Sequence, residues 1–214
     1  MSWDDKPVVI TVAPVGAEVT RADNPALPHT PAEIAAGATA CGEAGATVVH
    51  LHVREPDGAP SARPELFGET IERIRAASEL VTMVSTGGAV WMSMDERMAG
   101  LEAGPDLAGV ETGSLNFGEE PFVTLPEDAR EVVRRAGSLG IGLEAECFDV
   151  GHVVQAVRML ERGELPAPLR ANLVFGVPGG IDASPHALEA MVRPLPPGTH
   201  WSVTAIGRHQ SRPS

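Results

Sequence analysis

Thr47-Val48-Val49-His50-Leu51-His52-Val53-Arg54 is the stretch on which the reading of this chain turns. Its β-branched content predicts a buried strand, and that strand carries two histidines two positions apart. Side chains alternate along a strand, so His50 and His52 share one face, about 6.6 Å apart at Cα. Val49, Leu51 and Val53 take the other face. Two imidazoles that close can share one divalent metal, and imidazole suits zinc better than magnesium or calcium. The same spacing also fits two buried histidines, each hydrogen-bonded to a neighbour. A catalytic zinc needs at least three protein ligands, so the pair alone leaves both readings open.

Outward from this strand the chain alternates strand-like and helix-like segments. Further strands are predicted over residues 8–13, 80–84, 107–110, 143–148, 171–177 and 201–206. Helices are predicted between them, one opening at Thr30-Pro31-Ala32-Glu33. There Thr30 can cap, Pro31 suits the first helical position and Glu33 can close a capping box. Over residues 65–77, Leu66, Ile71 and Ile74 are the expected inner face. Val153, Val157 and Leu160 play that part over residues 150–162. Strict βα alternation with short turns predicts a parallel α/β fold in one domain spanning residues 1–214. Seven strands point to a (β/α)8 TIM-type barrel that lacks its last βα unit. An open doubly wound sheet is the competitor, but no GxGxxG follows the first strand. Polar residues also gather where strands end: His50, His52, Ser85, Ser114, Asn116, Glu146 and Arg208. A barrel keeps its active site at that end.

Composition narrows the function. The 214 residues carry 29 acidic and 16 basic side chains, a formal charge of −13. No basic run is present, so nucleic acid is not an expected partner. No signal peptide is readable and no apolar run approaches the roughly 18 residues of a membrane span. A cytoplasmic chain is expected, with Cys41 and Cys147 reduced and serving as small buried residues.

Several polar residues invite a chemical reading. Ser85-Thr86-Gly87-Gly88 directly follows a strand, and its hydroxyls and N–H groups could hold a carboxylate or carbonyl oxygen. An ordinary strand-to-helix turn would use the same two glycines. Glu144 and Glu146 share one face of a strand flanked by apolar residues, which favours function if the strand is interior. Ser114 and Asn116 could simply satisfy a turn. Glu18, in the loop after the first strand, says little alone. His152 and His186 fall on helices and are expected at the surface; His209 follows the last strand, where packing is the simpler role.

Taken in order, Val15-Gly16-Ala17-Glu18-Val19-Thr20, the run from Asn24 to Ala35 and Val49-His50-Leu51-His52-Val53-Arg54-Glu55 resemble the β-keto acid cleavage enzymes. Ser85 to Val90, Asn116-Phe117-Gly118, Glu146-Cys147-Phe148-Asp149 and Gly207-Arg208-His209-Gln210 continue the resemblance, which covers nearly the whole chain. It is strongest toward members that cleave a 3-keto acid bearing a 5-amino group. The resemblance implies a zinc-dependent (β/α)8 barrel, an oligomer, that exchanges acyl groups between a β-keto acid and acetyl-CoA to give acetoacetate and a new acyl-CoA. Carried over by position, it implies His50 and His52 as zinc ligands, and Ser85, Gly88, Ser114 and Asn116 as substrate contacts. It places Ser85 and Glu146 (or else Glu144) in the catalytic pocket, and Glu18 opposite the substrate's ammonium, a sound partner for a cation.

The resemblance also implies a further strand, with a third, glutamate zinc ligand and a catalytic arginine and aspartate. Here Ser211-Arg212-Pro213-Ser214 closes the sequence instead. The expectation is therefore either an enzyme with zinc at His50 and His52 or a truncated, inactive barrel fragment or interaction module. A barrel short of its eighth strand would be prone to aggregation.

Overall fold

The structure, a computed structural model, describes residues 7–207. Arg208 and His209, both named above, lie outside the described residues. The chain forms two compact units. Residues up to Ala89 with Asp95–Leu107 make the first, and Val90–Met94 with the residues from Ala108 onward make the second.

In the first unit, β1 (Thr11–Val12) is followed by a long loop and α1 (Pro31–Glu43). Next come β2 (Val48–Leu51), β3 (Val53–Arg54), β4 (Pro60–Ser61), α2 (Pro64–Ala77) and β5 (Val81–Val84). A short α3 (Met94–Met98) runs into a 3-10 turn at Ala99–Ala103. The strands β1, β2 and β5 pair in parallel in that order, with Thr11 opposite Val48 and His50 opposite Met83. Parallel strands covered on both faces need apolar residues on both, and Val49, Leu51, Met83 and Val84 are all buried, with Ile34, Ala38, Ile71 and Ile74 supplied by the helices.

Local chemistry sets the helix starts. The Thr30 hydroxyl accepts from the Glu33 N–H at 3.2 Å, and the Glu33 carboxylate accepts from the Thr30 N–H at 3.0 Å, closing the expected capping box. The same carboxylate takes the His29 N–H and the Arg21 guanidinium, and the Thr30 N–H first, then these two, hold its pKa down at about 2. Thr30→Ala is expected to lower stability by about 1 kcal/mol, read as a lower urea midpoint with an unchanged slope. In α2 the inner face is Phe67, Thr70, Ile71 and Ile74. Phe67 thus takes the place expected of Leu66, one residue round the helix, because the larger ring fills the space beneath Gly100.

The second unit contains β6 (Leu107–Glu111, all but its first residue), β7 (Leu115–Phe117), β8 (Glu120–Phe122) and α4 (Pro126–Ser138). Then follow β9 (Gly142–Cys147), α5 (Val150–Glu161), β10 (Arg170–Phe175), α6 (Pro185–Val192) and β11 (His200–Ala205). Strands β6, β9, β10 and β11 stand in chain order. Ala171 lies opposite Ala145 on one side and opposite Trp201 on the other, both in parallel register. In α5 the buried side chains are His152, Val153, Ala156 and Met159, a stripe one position from the Val157 and Leu160 expected.

The seven predicted strands are therefore present among the described residues. Two short antiparallel hairpins join them, β3–β4 and β7–β8, neither of which the apolar pattern announces. The first strand is also shorter than residues 8–13: only Thr11 and Val12 are regular, and Val8, Val9 and Ile10 are exposed.

Candidate active site

The histidine strand comes first. The rings of His50 and His52 stand 5.4 Å apart between centres, their planes tilted by 47°. They are half-buried by exposed area, but protein packs closely enough around them to disfavour an imidazolium. Burial pushes His50 down to about 4 and His52 to about 3, from 6.5. The positive charges of a protonated His50 and of Arg54 lower His52 further. Both imidazoles are neutral at pH 7, the form that binds metal. Two imidazoles on one tetrahedral zinc, with Zn–N near 2.0–2.1 Å, would set their ring centres about 5.2 Å apart. The pair therefore fits half of a zinc site. Among the described residues, no group of three or more His, Cys, Asp or Glu is arranged to hold a metal ion.

Ser85 and Gly88 belong to the same unit. The Ser85 N–H donates to the Leu51 carbonyl at 3.1 Å, and Leu51 sits between the two histidines in the chain. The loop from Ser85 thus begins directly beside them. The Ser85 hydroxyl, 6% exposed, accepts from the Gly87 N–H at 3.0 Å and turns the chain at once. Gly88 follows with φ of 61°, a left-handed conformation that favours glycine. Glu18 is exposed in the loop after β1, and among the described residues no hydrogen bond ties its carboxylate. Arg54 is buried nearby, donating to the Gly16, Val19 and Gly58 carbonyls.

The remaining candidates belong to the second unit. Ser114 and Asn116 lie at and in the β7–β8 hairpin. The Ser114 hydroxyl accepts the Thr124 N–H at 2.9 Å and donates to the Thr124 carbonyl at 3.0 Å, so it closes the base of the hairpin. The Gly118 N–H donates to the Pro178 carbonyl at 2.8 Å, which fastens the hairpin tip. A Cβ on Gly179 would stand only 2.0 Å from the Asn116 carbonyl oxygen, so glycine alone permits this approach. Asn116 is exposed on the fastened hairpin. A cleft of about 600 Å³ opens here, lined by Ser114, Asn116, Phe122, Asp149, His152 and Gly179.

Glu146 is 6% exposed on β9, directly opposite Asn172 of β10. A Cβ on Gly109 of β6 would lie 2.6 Å from its Oε1. Its carboxylate thus occupies room that only glycine leaves. Glu144, on the same strand, is half-buried; burial raises its pKa and the charge of Arg170 opposes that rise.

His152 is not the surface residue expected of a helical histidine. It is 7% exposed, its Nδ1 accepts from the Phe148 N–H at 3.2 Å, and its Nε2 lies 3.2 Å from the Ser114 carbonyl. With Nδ1 accepting, Nε2 carries the proton and donates. Burial lowers its pKa, which keeps the ring in that neutral, structural role. Arg54, Glu111 and Asn172 were not singled out by the sequence. Arg54 and Glu111 are each 2% exposed. A charge standing inside or ending an apolar strand was the available signal for both.

Comparison with known proteins settles the family. A family model described as beta-keto acid cleavage enzyme matches residues 7–213. The chain belongs to the β-keto acid cleavage enzyme family. One family relative, the 3-keto-5-aminohexanoate cleavage enzyme of Acetoanaerobium sticklandii, is 37% identical over 205 residues, covering 95% of this chain and 75% of that protein. The 3-oxoadipate:acetyl-CoA acetyltransferase of Cupriavidus necator is 35% identical over 209 residues, covering 96% and 73%. Relatives in this family are thus named as keto acid cleavage enzymes and acetyl-CoA acyltransferases. Among solved structures, ObcA in a binary complex with oxaloacetate is similar in fold, with a TM-score of 0.63 at 22% identity. The match covers 72% of this chain and 38% of that one. Among the described residues no helix is long and apolar enough to cross a membrane.

Proposed function

We propose that this chain is a zinc-dependent β-keto acid cleavage enzyme of (β/α)8-barrel type, working in the cytoplasm as a homo-oligomer. It would exchange acyl groups between a β-keto acid and acetyl-CoA, giving acetoacetate and a new acyl-CoA. The observation that carries this reading is the neutral, closely set His50–His52 pair in a chain of this family.

His50 and His52 would supply two of the zinc ligands. Bound there, zinc would provide Lewis-acid polarisation of the keto and carboxylate oxygens and so acidify the carbon between them. Ser85 would hold a substrate oxygen through the turn it forms, and the backbone at Gly88 would approach the same group closely. Glu146 would take up and return a proton. Asn116 would donate to the substrate from a fixed hairpin, and Ser114 would keep that hairpin in place.

Glu18 points to the substrate class. An exposed carboxylate on a chain of net charge −13 favours a keto acid with a cationic group, as in 3-keto-5-aminohexanoate, over one with a second carboxylate, as in 3-oxoadipate. Glu18→Gln is expected to lower kcat/KM for an amino-substituted β-keto acid about tenfold or more, the loss of a charge-assisted hydrogen bond of about 1.5–3 kcal/mol. An unsubstituted keto acid should be little affected; equal losses on both would make Glu18 structural.

The decisive assay is acetoacetate formation from a β-keto acid and acetyl-CoA by zinc-loaded protein. Turnover above the protein-free rate supports the reading. Zinc binding with no acetoacetate would favour an interaction module built on the same fold.

A further inference from the structure

Arg54 has no place in the chemistry above, yet it is among the most deeply buried large side chains of the protein. A guanidinium stays charged, so its burial is costly except where its N–H groups and its charge are answered; the two Nη groups of Arg54 are, while its Nε finds no partner among the described residues. Nη1 donates to the Gly58 carbonyl at 2.7 Å, and Nη2 donates to the carbonyls of Val19, at 2.7 Å, and Gly16. Two of these three acceptors lie in the loop after β1, one on each side of Glu18 in the chain. Arg54 itself follows His52 by two residues, on β3, so the loop it grips is tied directly to the histidine strand. The third acceptor, Gly58, sits in the β3–β4 turn with φ of 92°, where an added Cβ would stand 2.5 Å from the His29 ring.

We propose that Arg54 is a positioning residue that fixes Glu18 beside the histidine strand by gripping the main chain on both sides of it. This rests on the reading that Glu18 receives the substrate's cationic group. The planar fork is what the task needs, because its donors reach separate carbonyls at fixed angles. A lysine ammonium offers three donors from one point and cannot span the same acceptors.

The test uses the zinc-loaded protein with Arg54→Gln and Arg54→Lys. Arg21 is exposed in the gripped loop, and Arg162 is exposed at the end of α5. Native-state trypsin cleavage after Arg21 is expected to accelerate tenfold or more in Arg54→Gln, and less in Arg54→Lys, with cleavage after Arg162 unchanged. Calorimetric binding of an amino-substituted and an unsubstituted β-keto acid then reads the preference of the site. Arg54→Gln should abolish the same roughly tenfold preference that Glu18→Gln abolishes, and the double variant should lose no more than either single one. Unchanged cleavage at Arg21, or a preference that survives Arg54→Gln while Glu18→Gln removes it, overturns the Arg54 proposal alone. No preference change in Glu18→Gln overturns the Glu18 reading and this proposal with it. Should Arg54→Gln fail to fold, Arg54→Lys, which keeps the charge, decides on the same two measurements.

Discussion

Replacing His50 and His52 together by alanine is expected to leave a folded chain that no longer holds stoichiometric zinc. Both rings are only half-buried, and the apolar face of their strand is made by Val49, Leu51 and Val53, which the change leaves untouched. Elemental analysis after dialysis checks the metal, and a zinc content equal to the parent's would remove the pair from the site. The protonation behaviour of the pair adds a second, independent signature. In the unfolded chain both histidines titrate near 6.5, whereas in the folded chain they are held at about 4 and about 3. Between those values the unfolded state binds more protons, so stability rises with pH across the window. Metal-stripped protein should therefore keep its full stability above pH 6.5 and lose it progressively as the solution is acidified toward 4. The double alanine variant should show a flatter dependence, read by urea unfolding at pH 7 and pH 5. Zinc occupancy of the parent should change little between pH 7 and pH 5, because protons begin to compete for these imidazoles only near pH 4.

Gly109→Ala is expected to lower kcat/KM by about a hundredfold. The added methyl would meet the Glu146 Oε1 at 2.6 Å and its Cδ at 3.0 Å. The end of the Glu146 side chain, rather than the strand backbone, is what has to give way. A displacement of about 1 Å at a reacting group can cost a factor of 10² in rate. Stability should fall much less, since only the end of one side chain has to move. Full activity in a folded Gly109→Ala protein would show that Glu146 is not in the catalytic machinery. Glu146→Gln, which keeps the shape and removes the charge, should lose comparable activity without the steric change.

Much of this was legible before any coordinates. Strand positions could be read because runs such as Val81-Thr82-Met83-Val84 are short, apolar and bounded by turns, and the start of α1 because Thr30 places an oxygen where orphan N–H groups need one. What escaped depends on neighbours distant in sequence. His152 looked like a surface residue, since nothing nearby in the chain reveals that the Ser114 carbonyl, 38 residues earlier, stands against its Nε2. Phe67 and Leu66 differ by one step of a helix, and the packing against Gly100 made the choice. The β7–β8 hairpin went unseen because its fastening comes from Pro178 and Gly179, some sixty residues later in the chain. In the candidate site, the histidine pair and the Ser85 turn were visible as local patterns. Arg54 showed only as a charge ending an apolar strand, because its acceptors are backbone carbonyls that no sequence motif displays.

Within each unit the parallel strands lie side by side in the order in which they occur in the chain. During synthesis, β9 has already left the ribosome when β10 emerges, and β10 when β11 does. Each strand of the series can dock on an edge that exists rather than wait for one still to be made. Growth of these layers can therefore keep pace with translation, from the first strand toward the last. The same order leaves the most recent strand as the transient edge at every stage, so exposure to wrong pairing is passed along one strand at a time.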